Sequence, residues 1–183
     1  VAFTGVDHVD MNACRNMNIL VSNAAGYSTS SVAELTFGLI FALLRNIVPL
    51  DNATREGKTK DGFSQYDLYG KTFGVIGTGA IGTRVAEIAK VFGCDVLAYS
   101  RTEKEEVKKL GVKYVSLDDL MKESDVISIH VPSNDSTKKM INKEKISLMK
   151  KNAILINAAR GAIVDNNALA EALTEGKIAG AGV

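Results

Sequence analysis

The sequence predicts an α/β protein built on a doubly wound parallel sheet, with helices over both faces. Two observations carry that prediction. The stretch from Lys71 to Arg101 reads as strand, glycine turn, helix and strand, and short apolar runs then alternate with helical patterns as far as Val183. Such alternation is how a chain builds a parallel sheet covered on both sides. A length of 183 residues is enough for one domain with a full core.

Within the first unit, the apolar run Phe73 to Ile76 leads into Gly77-Thr78-Gly79-Ala80-Ile81-Gly82. A helix follows, marked by Val85, Ile88, Ala89 and Phe92 at three- and four-residue spacing, and then a second apolar run from Val96 to Tyr99. The three glycines have separate tasks. Gly77 lets the chain turn off its strand, Gly79 lets a pyrophosphate approach the backbone, and Gly82 lets helix and strand pack closely. The N–H groups and positive end of the helix then face an anion. This context makes the pattern a dinucleotide fingerprint of the Rossmann-like kind.

The segments before it do not belong to that unit. Gly5 to Asp10 is a turn-rich loop, Met11 to Arg15 a short helix, and Asn18 to Val21 a short strand. His8, flanked by Asp7 and Val9-Asp10, reads as a surface loop histidine. Ser31 and Glu34 form a capping box for a helix to about Val48 that is apolar nearly all round. Such a helix is either buried on every side or spans a membrane. Glu34 and Arg45 are costly in lipid, so burial against another subunit is expected, with Pro49 breaking the helix. Residues 51–70 read as helix tail and linker.

After the fingerprint, helices are expected at Glu103–Leu110, from Ser116 to about Lys122, at Lys143–Lys150 and from Asp165 or Asn166 to Glu175. Strands are expected at Val112–Val115, Asp125–Val131, Ala153–Asn157 and Ile178–Val183. The chain begins Val-Ala-Phe and stops on Gly-Ala-Gly-Val, so a fragment of a longer protein is expected.

Composition excludes several classes. With 22 basic and 21 acidic side chains the net charge is +1, which implies no polyanionic partner and no nucleic acid. Two cysteines and two histidines, all far apart, offer no metal site and no disulfide framework. Reduced thiols and no visible signal peptide suit a cytoplasmic protein.

In a doubly wound sheet, ligands sit at the carboxyl ends of the strands. Four such ends carry chemistry here: Gly77–Gly82, Tyr99–Thr102, His130–Ser133 and Asn157–Gly161. At the second, an acidic residue would bind the ribose 2′-hydroxyl of NAD, whereas Ser100, Arg101 and Thr102 suit the 2′-phosphate of NADP. NADP is therefore favoured, with NAD and an Arg101 that stacks on adenine as the alternative. Arg160 is placed either for a substrate carboxylate or for an ordinary surface ion pair. His130 could act as a general acid, but a packed loop anchor is the preferred reading.

The succession Gly5-Val6-Asp7-His8-Val9-Asp10, Val32-Ala33-Glu34, Gly77–Gly82, His130-Val131-Pro132 and Asn157-Ala158-Ala159-Arg160-Gly161-Ala162-Ile163-Val164-Asp165 resembles the D-isomer-specific 2-hydroxyacid dehydrogenases. The resemblance covers essentially the whole chain. It implies a substrate-domain remnant at residues 1–25 and a dinucleotide-binding domain at 26–183, truncated at its C-terminal end. It implies that Arg160 holds the carboxylate and carbonyl of a small 2-oxo acid, helped by backbone N–H groups near Thr4 and Gly5. It implies cofactor contacts from Ala80, Ile81, Ser100, Arg101, Thr102, His130, Val131, Pro132, Ala158 and Arg160, and a homodimer through the nucleotide domains. The family's catalytic Glu and His would lie past Val183, so these residues alone are expected to bind cofactor without turnover. A dinucleotide-sensing dimer without catalysis is the alternative, and a methyltransferase is disfavoured by the Asn157–Asp165 run.

Overall fold

The computed structural model describes residues 1–2 and 4–183. Six strands form one sheet: β1 (Thr72–Ile76), β2 (Asp95–Tyr99), β3 (Lys113–Tyr114), β4 (Val126–Ile129), β5 (Ile154–Ile156) and β6 (Gly180–Gly182). Their spatial order is β3-β2-β1-β4-β5-β6, and each neighbouring pair is parallel. The order reverses between β1 and β4, so the two halves diverge from that seam. A central parallel strand is buried on both faces, which is why β1, β4 and β5 appear in the sequence as continuous apolar runs.

The helices are α1 (Met11–Asn16), α2 (Thr29–Leu44), α3 (Ile47–Arg55), α4 (Ala80–Val91), α5 (Glu105–Lys108), α6 (Leu117–Glu123), α7 (Lys143–Ser147) and α8 (Asn166–Thr174). On one face of the sheet, Phe37 and Ile40 of α2 and Val85 and Ala86 of α4 pack with Phe73 and Val75. On the other, Leu120 and Met121 of α6, Ile146 of α7 and Leu169 of α8 pack with Ile76, Ile127 and Leu155. Polar caps start the helices where the sequence offers them. The Ser116 hydroxyl accepts the Asp119 N–H at 3.1 Å, and the Asp165 carboxylate accepts from Asn167 and Ala168. Asp10 does the same for α1.

Three expectations are corrected. No strand forms at Asn18–Val21; Asn18 sits in the left-handed region at φ 54°, which ends α1 in a turn. Ser31 does not cap a helix. Helix α2 starts earlier, at Thr29, and the Ser31 hydroxyl donates to the Ser28 carbonyl at 3.1 Å from within the first turn. The long apolar helix is two helices bent by 58°. Asn46, at φ 51°, makes the break, and Pro49 falls in the first turn of α3, where its missing N–H costs nothing.

Within its own chain, helix α2 buries one side. Ala33, Thr36, Phe37, Ile40 and Leu44 face the sheet, whereas Leu35 is 55% exposed and Val48, in α3, 62%. A helix laid on a sheet can bury only one side within its own chain. Among the described residues no single helix is long and apolar enough to cross a membrane; the bent α2–α3 pair passes on length and composition only.

Candidate functional site

The carboxyl ends of β1 and β4 meet at the seam where the strand order reverses. Gly77 leaves β1 at φ 95°, a conformation that L side chains rarely adopt. Its N–H donates to the Tyr99 carbonyl at 2.7 Å, and a Cβ there would lie 2.8 Å from the His130 carbonyl oxygen. A Cβ on Gly82 would run into the Gly77 carbonyl, so helix α4 can approach the turn only without one. At Gly79 the opposite holds. A Cβ would meet nothing within 4 Å, and no side chain caps α4. The turn thus presents open space to the N-terminal N–H groups of a 12-residue helix, which fits a pyrophosphate. Ala80 is exposed and Ile81 half-buried at that same end.

A second network supports this turn. Thr78 is buried, and its Oγ1 accepts the Tyr114 hydroxyl at 2.9 Å. The Tyr114 oxygen in turn accepts the Lys104 N–H at 3.2 Å, and the Thr83 hydroxyl donates to the Thr78 carbonyl at 3.2 Å. The loop after β2 is thereby tied to the glycine turn, with Ser100 half-buried beside it and Arg101 and Thr102 exposed. Neither Thr78 nor Tyr114 stood out in the sequence. The available signal was a tyrosine on a two-residue strand, since a half-buried phenol needs a partner.

His130 follows β4, with its N–H on the Ile76 carbonyl at 2.7 Å and ring Nε2 2.8 Å from the Ser128 hydroxyl. Burial pushes its pKa down to about 4, so near pH 7 the ring is neutral and is not the imidazolium that a general acid requires. Val131 follows against Gly77, and the Thr137 hydroxyl donates to the Pro132 carbonyl at 2.6 Å.

After β5, Asn157 shapes the next turn. Its side-chain amide donates to the Arg160 carbonyl at 2.9 Å, its oxygen accepts the Ala159 N–H at 3.2 Å, and its own N–H reaches Gly182 at 2.8 Å. Ala158 is half-buried in this turn, and a 3₁₀ turn over Gly161–Ile163 continues it. Arg160 extends to the N-terminal segment. Its Nε lies 3.3 Å from both Asp7 oxygens and its Nη2 3.2 Å from Oδ1, while Nη1 donates to the Ala159 carbonyl at 3.0 Å. The Arg160 guanidinium holds the Asp7 carboxyl below its ordinary range. Gly5 lies flush against the pair, and the Thr4 carbonyl accepts from Asn23 at 2.7 Å. The structure thus brings Gly5 and Arg160 together from opposite ends of the chain, with Thr4 next to Gly5 in the same loop. It adds Asp7, whose partner 153 residues away no local pattern could reveal.

A cleft of about 670 Å³ lies at the other end of the sheet, lined by Leu44, Tyr66, Lys71, Asp125, Lys150 and Ile154. It opens at the amino ends of the strands, where doubly wound sheets do not bind nucleotides. Asp125 there is structural, accepting the Thr72 N–H and the Lys150 ammonium, each at 2.9 Å. Among the described residues no His, Cys, Asp and Glu cluster is able to hold a metal. Cys94 is buried, and burial pushes its thiol up to about 11.

Comparison with known proteins gives a consistent family. The model for the D-isomer specific 2-hydroxyacid dehydrogenase NAD binding domain matches residues 37–183. A glyoxylate reductase of Aeropyrum pernix is 44% identical over 97% of this chain and 56% of its own length. The D-lactate dehydrogenase of Aquifex aeolicus, crystallised with NAD and lactic acid, superposes with a TM-score of 0.93 at 43% identity, covering 98% of this chain and 54% of that one. An acyclic imino acid reductase in complex with NADPH and D-Arg gives a TM-score of 0.91 at 37% identity, covering 98% of this chain and 58% of that one. The chain spans about half the length of the curated relatives it matches.

Proposed function

The chain belongs to the D-isomer-specific 2-hydroxyacid dehydrogenase family, by its NAD-binding domain, and from that premise we propose that it forms the dinucleotide half of an oxidoreductase acting on a small 2-oxo acid. NAD(P)H held there would supply hydride to the carbonyl carbon, and a general acid outside residues 1–183 would supply the proton to the oxygen, to give the D-2-hydroxy acid. The observation that carries this reading is the open turn over Gly79 at the seam of the sheet, in the same row of strand ends as the Arg160 turn.

The residues divide the work as follows. Gly77, Gly79 and Gly82 shape the phosphate cradle, and Ala80 and Ile81 present their N–H groups to it. Ser100, Arg101 and Thr102 favour the 2′-phosphate of NADP, since no carboxylate stands there to repel it. His130, Val131, Pro132 and Ala158 line the path toward the nicotinamide. Arg160, with backbone N–H groups of Thr4 and Gly5, orients the substrate carboxylate and polarises its carbonyl. Residues 1–25 act as part of the substrate domain and 26–183 as the nucleotide domain. The exposed side of α2, with Leu35, supports a homodimer. The free thiols Cys14 and Cys94 suit a cytoplasmic setting.

Kinetics of the full-length protein with glyoxylate and NADPH test the reading. Arg160→Ala should lower kcat/KM by at least a hundredfold and Arg160→Lys should restore only part, because an ammonium cannot reproduce a bidentate fork. Near-normal kinetics in Arg160→Ala would contradict it.

A further inference from the structure

We infer that Asp7 is the positioning residue for Arg160, turning the guanidinium so that a single two-pronged fork is left for the substrate carboxylate. The inference rests on the reading of Arg160 as the substrate's anchor. A guanidinium carries five N–H donors and gives up none of its protons in the physiological range. The Nε–H is shared between the two Asp7 oxygens, one Nη2–H goes to Oδ1, and one Nη1–H goes to the Ala159 carbonyl. One N–H then remains on each Nη nitrogen, and two such donors side by side match the two oxygens of a carboxylate.

The rest of the surroundings fix this orientation. Asn157 holds the Arg160 carbonyl, so the backbone under the side chain cannot turn freely. A Cβ on Gly5 would collide with Nη2 and stand 2.6 Å from the Asp7 Oδ1, so the loop backbone closes one side of the pair. Both partners are about two-fifths exposed, at 43% and 41%. An ion pair so open to solvent contributes little to holding the fold. Its consequence is where the arginine points, and a reacting group displaced by an ångström loses up to a hundredfold in rate.

The experiment is steady-state kinetics of the full-length protein carrying Asp7→Asn, which keeps the shape and removes the charge. The KM for glyoxylate should rise about ten- to a hundredfold and kcat should fall with it, while the Kd for NADPH changes by no more than about twofold. Placed on Arg160→Lys, the same change should add less than about twofold, because Asp7 acts only through the arginine fork. Asp7→Glu, which restores the charge at a longer reach, should recover part of the loss and guards against a fold defect in the first variant. An unchanged or lower KM in Asp7→Asn would overturn the inference, as would additive losses in the double variant or a parallel loss of NADPH affinity. Should Arg160→Ala itself leave KM unchanged, the anchor reading fails and Asp7 with it. A damaged Arg160→Ala beside a normal Asp7→Asn removes only the present inference.

Discussion

Arg101 and His130 follow the two strands that flank β1, and their surroundings set opposite expectations. Arg101 is exposed beside a half-buried Ser100, with no acidic residue at the end of β2. Arg101→Ala should weaken NADPH by about ten- to a hundredfold, the worth of one charge-assisted hydrogen-bond pair, and leave NADH almost unaffected. Fluorescence titration with both cofactors checks this, and equal losses would contradict it. For His130 the folded pKa is about 4 against an ordinary 6.5. The unfolded chain therefore binds more protons between those values, so this contribution to stability is complete above about pH 6.5 and is lost as the pH falls toward 4. Asp7, Asp125 and Asp165 are lowered too, but from an ordinary 3.8, so their contributions fade only as the pH falls below that value. Urea midpoints should thus drop between pH 6.5 and 4.5 in the wild type and much less in His130→Asn. Parallel profiles would contradict the assignment.

At the scale of elements, α2 shows what periodicity reveals and what it omits. The apolar run announced a core helix, and Ile40 is fully buried. The break at Asn46 was hidden because left-handed asparagine leaves only a weak trace beside a conspicuous proline. The exposed side, with Leu35, supports a partner subunit. Sedimentation should give a dimer for the wild type and a monomer for Leu35→Glu, whereas Ile40→Ala should cost about 2–5 kcal/mol of stability whatever the assembly. A wild-type monomer at micromolar concentration would contradict the dimer. Gly77 and Gly82 were legible in the glycine turn, because each meets a local steric demand that the spacing records. Asp7 and Tyr114 were not, because their partners are brought close only by the completed sheet.

Over the whole molecule, six parallel strands place four strand ends in one row, and the residues singled out in the sequence lie along it. The strand order explains why the turn after β1 and His130 after β4 share a seam, although more than 40 residues separate them in sequence. We propose that Gly79 is glycine for a ligand and not for the fold. Its φ of −68° suits any residue, and a side chain there would touch no protein atom within 4 Å of its Cβ. Titration of the purified chain with NADPH, beside thermal unfolding of Gly79→Val, tests that claim most directly. Saturable binding is expected of the wild type, and in Gly79→Val an affinity at least about tenfold weaker with a Tm within a few degrees of wild type. Undiminished NADPH binding by a folded Gly79→Val, or no binding by the wild type, would contradict it.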